Sequence, residues 1–262
     1  MTIVSRQYDL ASILGLVDEI VLGQKTNTNS VWLAQQLAAL GVMTVEHVSV
    51  EDDVRLIEEA MRRLAGETPL VICTGGLGPT ADDLTRDALA AALGEKLEED
   101  GAVVDAIRVR LSARGREMKD SHRVQALRPK SASALMNDAG TAPGLRASVG
   151  GADVFCLPGP PAEMQPMFER LVAPSIRAPV GERITTRLLQ VCGLVESEAA
   201  HRLGDVLARD RMPTVGITAS RSILTLRLRH RGAPGTAESA LDATEEVIRE
   251  RLGPFLLARG DI

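Results

Sequence analysis

Hydrophobic and polar positions alternate along this chain in two different rhythms. Up to residue 93, short apolar runs take turns with helical repeats. Leu10–Leu16, Val42–Val50 and Leu70–Cys73 read as strands, the last of them buried. Val31, Leu33, Leu37 and Leu40 recur at helical spacing behind the polar cluster Lys25–Ser30, and Gly41 stops the pattern. A second helix is expected over Val54–Leu64, capped by Asp52 or Asp53, and a third over Thr85–Leu93, ending near Gly94. This β-α-β-α-β-α order predicts an α/β layer with a mostly parallel sheet and right-handed crossovers. Residues 95–130 read as charged and helical, with Val103, Ile107 and Leu111 as the apolar stripe. Beyond them, Gly140–Gly144 reads as a turn, Val154–Leu157 as a short buried strand and Ala162–Leu171 as a helix.

The rhythm changes after residues 173–183, a stretch with two prolines that reads as a linker. Thr185–Cys192 is expected to be a strand and Glu196–Ala208 a helix. Ile223–Arg231 alternates apolar with polar residues, as a half-buried strand does, and carries Arg227, Arg229 and Arg231 along one face. Ala237–Leu252 is an amphipathic helix and Phe255–Leu257 a final strand. The expected organisation is a domain over 1–172, the linker 173–183, and a small α+β domain over 184–262.

In open α/β sheets, ligands bind beyond the carboxyl ends of the strands. Asp18 and Glu19, Asp52 and Asp53, and the loop from Thr74 to Thr85 all fall at such ends. The loop carries Gly75, Gly76, Gly78, Pro79 and Thr80, followed by Asp82 and Asp83. Glycines let a backbone pass close to a ligand, and backbone N–H groups at a turn can hold a phosphate. The spacing is neither G-x-G-x-x-G nor a Walker loop, so the glycines alone equally suit an ordinary tight connection. The two adjacent carboxylates shift the balance toward a divalent metal or an activated water. Pro158-Gly159-Pro160-Pro161 suits either a structural corner or a second wall of the same pocket, and its place after a strand favours the wall. His122 could act as a base, but a solvated loop or helix histidine is the plainer reading.

Composition removes some classes of partner. The formal net charge is −5, which gives no global attraction to nucleic acid or anionic membrane. Aromatics make up 2% of the chain, too few for base-stacking platforms. No apolar run reaches the roughly 18 residues of a membrane span. The three cysteines show no metal-ligand spacing, and their odd number in a chain without a signal-peptide pattern points to a reducing cytoplasm.

Several of these stretches resemble the competence/damage-inducible protein A (CinA) family. They are Thr74–Thr85, Leu22-Gly23-Gln24 with Asn27-Thr28-Asn29, Gly115–Met118, Gly140–Gly144 and Leu157–Met164. The resemblance implies a three-layer αβα domain of the molybdopterin-binding MoaB/Mog type, followed by a small α+β KH-type domain. It implies a divalent-metal-dependent ADP-ribose pyrophosphatase using Mg²⁺, Mn²⁺ or Co²⁺, and a homodimer. The alternative is a molybdopterin or nucleotide binding protein without turnover.

By the same resemblance, Asp52 and Asp83 are the catalytic pair, and Asp18, Glu19, Asp82 and Asp83 are the metal ligands. Thr74, Gly75, Gly76, Gly78, Pro79, Thr80, Asn27, Asn29, Pro158, Gly159 and Pro160 surround the phosphorylated ligand. Val17 and Val195 stand where the family has glycine, and Val17 is expected to strain or narrow the pocket. No G-x-x-G clamp is present in the second domain, which argues against nucleic-acid binding there. Family members carry a further domain that deamidates nicotinamide mononucleotide, which a chain of 262 residues is expected to lack.

Overall fold

Leu70–Thr74 is buried at every position, and this strand forms the middle of the first half of the molecule. The structure is a computed structural model that describes residues 6–177, 183–220, 223–233 and 235–260. The chain divides into two compact units, Met1–Ala178 and Pro179–Ile262.

The first unit runs β1 (Arg6–Gln7), β2 (Leu10–Leu16), α1 (Asp18–Val21), α2 (Thr28–Ala39), β3 (Met43–Val50), α3 (Val54–Glu67), β4 (Leu70–Thr74) and α4 (Thr85–Leu93). It continues through β5 (Leu97–Glu99), α5 (Gly101–Ser112), α6 (Asp120–Arg123), β6 (Leu127–Pro129), β7 (Ser133–Leu135), β8 (Gly144–Val149), β9 (Ala152–Leu157), α7 (Pro161–Met167) and β10 (Ile176–Arg177). The central sheet has the order β3-β2-β4-β9-β8-β7. Its first four strands are parallel, and β8 and β7 are antiparallel to their neighbours.

The inner parallel strands β2, β4 and β9 are largely apolar on both faces because a layer of helices covers each side, whereas the edge strand β3 carries Thr44, Glu46, His47 and Ser49 and is only partly buried. Val71, Cys73 and Val154 meet Ile57, Met61 and Leu64 of α3 and Leu89 of α4. The alternate residues Leu70, Ile72 and Phe155 meet Leu33 and Leu37 of α2 and Met164 and Met167 of α7. Each fully buried Leu, Ile or Met side chain contributes about 1.5–3 kcal/mol. The result is the α/β layer with a mostly parallel sheet predicted from the pattern, in the three-layer αβα form that the family resemblance implied. The caps follow the sequence as well. Asn27 Oδ1 accepts the Ser30 N–H, and Asp53 Oδ1 accepts those of Arg55 and Leu56. Gly94 ends α4 in the left-handed region.

Some elements differ from the sequence reading. Residues 95–130 are not wholly helical, because β5 and β6 pair antiparallel around α5 and α6. The Asp18-Glu19 turn is the short helix α1. The expected helix 162–171 begins at Pro161, and after Met167 its backbone widens into a π-type turn through Val172. Of the expected linker, residues 173–177 form a turn and β10, which pairs parallel with β1. Residues 178–182 of that linker lie outside the described residues, as do residues 1–5.

The second unit contains β11 (Arg183–Cys192), α8 (Glu196–Leu203), β12 (Thr214–Ser220), β13 (Ile223–Gly232), α9 (Ala237–Leu252) and β14 (Leu256–Gly260). Its antiparallel sheet has the order β12-β13-β11-β14. Leu224, Leu226 and Leu228 of β13 pack with Leu203 of α8 and Leu241, Ile248 and Leu252 of α9. The alternation seen in β13 is therefore one buried face, with the arginines on the other. Helix α8 is shorter than expected, stopping at Leu203 before a 3₁₀ turn.

Candidate functional site

Strands β3, β2, β4 and β9 are adjacent and parallel, so their carboxyl ends lie side by side. The registers Leu16–Val50, Gly15–Thr74 and Thr74–Leu157 keep those ends level. From one end of the sheet the chain thus delivers Asp52, then Asp18, then the glycine loop, then Pro158-Gly159-Pro160.

Backbone geometry explains the glycines of the loop. Gly75 has φ +114°, and an added Cβ would lie 2.2 Å from the Leu16 carbonyl oxygen. Gly76 has φ +61°, and its Cβ would lie 2.4 Å from Thr85 Oγ1. Gly78 has an ordinary φ, but its Cβ would fall 2.5 Å from the Asp83 carboxylate. The loop is closed by its own hydrogen bonds. Gly75 N–H donates to Leu157 O at 3.0 Å. Gly78 N–H donates to Asp83 Oδ1 at 2.6 Å, Thr80 N–H donates to Asp83 Oδ2 at 2.8 Å, and the Thr80 hydroxyl donates to the same oxygen.

The sequence reading assigned the loop amides as a group to a phosphate. Here Gly75, Gly78 and Thr80 already have acceptors, and the N–H groups of Gly76 and Leu77 have none among the described residues. Asp83, expected as a metal ligand, uses both oxygens to hold the loop.

The remaining acids lie around Asp52. Its N–H donates to Asp18 Oδ1 at 2.8 Å. Burial pushes the Asp52 carboxyl above its ordinary value; Asp18, Asp82 and Asp83 add to the rise, and the Asp18 backbone N–H partly offsets it. Carboxylates from two other chain segments thus disfavour the charged form of Asp52. Glu19 faces Lys25, whose Nζ sits 3.1 Å away, and that ion pair holds its carboxyl below the usual range. These are hard oxygen donors of the kind a divalent cation takes. Among the described residues, no three or more His, Cys, Asp or Glu side chains are drawn into a ligand shell.

Two asparagines tie the strand ends together. Asn29 Nδ2 donates to Gly159 O at 2.7 Å and to Thr74 Oγ1 at 3.2 Å. Thr74 in turn donates to Pro158 O at 3.1 Å. The proline-glycine loop thereby stands beside the glycine loop, and a Cβ on Gly159 would touch Gly75 Cα at 3.5 Å. Asn27 Nδ2 donates to Ser49 Oγ at 3.1 Å and lies where a side chain on Gly15 would be. Both asparagines, expected to touch ligand, hold the walls of the site. Val17 takes φ −165°, an extended backbone open to any residue, so the strain expected at this position is absent. Val195 is likewise extended, at φ −83°. His122 lies in α6, and its Nδ1 accepts the Lys119 N–H.

The sequence reading missed Arg86. It is 2% exposed and donates to three carbonyl oxygens of the glycine loop and its exit. The one signal for it was a cation in the first turn of α4, where the helix dipole disfavours positive charge.

Comparison with known proteins agrees with this architecture. Residues 12–178 match the family model described as "Probable molybdopterin binding domain", and residues 186–258 match the "Damage-inducible protein CinA KH domain". A competence-damage inducible protein of Bacillus cytotoxicus is 37% identical over 248 residues, covering 94% of this chain and 60% of the relative. One from Symbiobacterium thermophilum is 38% identical, covering 94% and 59%. The crystal structure of the protein CinA from Thermoplasma acidophilum superposes with a TM-score of 0.60 at 32% identity, over 64% of this chain and 99% of that one. The chain belongs to the CinA family, with a molybdopterin-binding-type domain followed by a CinA KH domain. It spans about three fifths of the length of these two curated relatives.

Proposed function

We propose that the first unit hydrolyses the phosphoanhydride of a nucleotide diphosphate of the ADP-ribose type, with Mg²⁺, Mn²⁺ or Co²⁺. The observation that carries this reading is Asp52, raised by burial and by the carboxylates of Asp18, Asp82 and Asp83 beside a glycine loop with two free amides. Negative charge gathered next to a loop with free amides favours a cation shared between protein and ligand. Asp18 and Asp82 would hold that cation, with Asp83 within electrostatic reach. When bound, it neutralises charge on the phosphate oxygens.

The chain's own groups do the rest. The Gly76 and Leu77 amides hold phosphate oxygens, and Asn29 keeps the proline-glycine loop closed over the strand ends. Asp52, with its raised proton affinity, takes the proton from the attacking water. The water oxygen bonds to phosphorus as the bridging P–O bond breaks, leaving AMP and ribose 5-phosphate. The test is ADP-ribose hydrolysis with each metal by the wild type, Asp52→Asn and Asp83→Ala. Turnover by the wild type and loss in both variants supports the reading; no hydrolysis with any metal overturns it.

One observation favours a second reading, ligand binding without turnover: both Asp83 oxygens are engaged by the loop. A molybdopterin-type ligand bound tightly and recovered intact, with no nucleotide hydrolysed, would decide for it. Either reading is joined to a homodimer, for which a monomer mass in light scattering at micromolar concentration would count against.

A further inference from the structure

Arg86 sits in the first turn of α4 and is 2% exposed. Three features make that an expensive position. The guanidinium is buried, burial pulls its pKa down from the ordinary value, and the positive end of the helix dipole lies beside it. Against this stand the nearby Asp83 and Asp87 carboxylates and three hydrogen bonds, all to the glycine loop and its exit. Nη1 donates to Leu77 O at 2.7 Å, and Nη2 donates to Gly78 O at 2.7 Å and to Asp83 O at 3.4 Å. Nε is buried and makes no hydrogen bond.

A loop that receives an anion must keep its carbonyl oxygens away from that anion, since each carries partial negative charge. The Leu77 and Gly78 carbonyls end on a buried cation. On the other side of the same segment, the Asp83 carboxylate takes the Gly78 and Thr80 N–H groups. The loop is thus gripped from α4 and its lead-in by a cation on its carbonyls and an anion on its amides. Gly76 and Leu77 are left with amides to offer.

We propose that Arg86 is a positioning residue: its forked guanidinium holds the Leu77 and Gly78 carbonyls inward, so that the loop presents N–H groups and not oxygens to a phosphate. The proposal rests on the phosphate-binding reading of the site and adds a residue that touches no ligand. A planar fork can take two carbonyls at once, which a lysine ammonium on a flexible stem does poorly.

The test uses the ¹⁵N-labelled 262-residue protein, ADP-ribose with Mg²⁺, and the variants Arg86→Ala and Arg86→Lys. The expected result for Arg86→Ala is a tenfold or greater rise in KM for ADP-ribose, with the amide resonances of Leu77, Gly78 and Thr80 displaced. Ethylguanidinium added at millimolar concentration should return both toward the wild type, which it would not do for Asp83→Ala. Should Arg86→Ala fail to fold, Arg86→Lys decides: displaced loop amides and a raised KM in a folded protein support the clamp. Wild-type KM and undisturbed loop amides in folded Arg86→Ala, or in folded Arg86→Lys where Arg86→Ala does not fold, overturn it. If the wild type itself hydrolyses no ADP-ribose, the proposed reaction falls, and the loop amides with ethylguanidinium rescue still decide the role of Arg86.

Discussion

The Asp52 backbone N–H donates to Asp18 Oδ1 at 2.8 Å, joining the carboxyl ends of β3 and β2. The bond brings two acids together on the same side of the sheet, and stability bears the cost. Because Asp52 binds its proton more tightly when folded than when unfolded, its carboxyl weakens the fold as pH rises through its raised value. Below the ordinary value of 3.8 the carboxyl is protonated in both states and the effect vanishes. Asp52→Asn should therefore melt higher than the wild type near neutral pH, with the difference closing as pH falls below that value. Thermal melts from pH 3 to 8 check this. An Asn variant that melts lower at pH 7 would contradict the charge argument.

Asp83 is bound to the loop it follows. Asp83→Ala leaves the Gly78 and Thr80 amides without their acceptor and should cost about 1–3 kcal/mol in urea unfolding. Gly78→Ala should act through the same contact, because its Cβ would displace the carboxylate. The double variant should then lose clearly less than the sum of the two single losses. Full additivity would mean that the two positions act independently.

Gly75 and Gly94 both have positive φ, at +114° and +68°, but only Gly75 is crowded, with Leu16 O 2.2 Å from where an alanine Cβ would sit. Gly94→Ala should cost about 1–2 kcal/mol, the penalty of left-handed backbone alone. Gly75→Ala adds a backbone clash and should exceed it clearly, with loss of the soluble folded protein as the extreme. Equal melting temperatures for the two variants would rule this out.

In the second unit, Arg187 is 9% exposed at its side chain and binds Glu238, Asp242 and Glu245 of α9 at 2.7, 2.7 and 2.9 Å. It fastens α9 to β11. Arg187→Ala leaves the largely buried Glu245 with Arg249 at 2.9 Å but without its buried partner on β11, and should cost about 1–3 kcal/mol. Urea unfolding of the wild type and the variant at pH 7 measures the loss. Wild-type stability in the variant would remove the ion pairs as what fastens α9 to β11.

The sequence by itself determined the β-α-β-α-β-α order, because strands buried on both faces must be apolar runs and the helices between them need caps. Leu70–Thr74, Asn27, Asp53 and Gly94 do in the structure what their residue types require. The sequence also placed the acids and the glycine loop at one end of the sheet, since strand direction fixes where those loops emerge. Tertiary structure alone decided the three-residue strands Leu97–Glu99 and Leu127–Pro129. A strand that short has no pattern of its own and exists only through its partner. Thr214–Ser220 was missed for a related reason: its small and polar residues carry no clear alternation, and pairing with β13 makes it a strand. Tertiary structure likewise gave Asp83 to the loop amides, Glu19 to Lys25 and Arg86 to the loop carbonyls. Sequence spacing tells which side chains are near one another. Which hydrogen bond each one makes depends on where the turned backbone points its N–H and C=O groups, and that is settled only when the loop closes against β9 and α4.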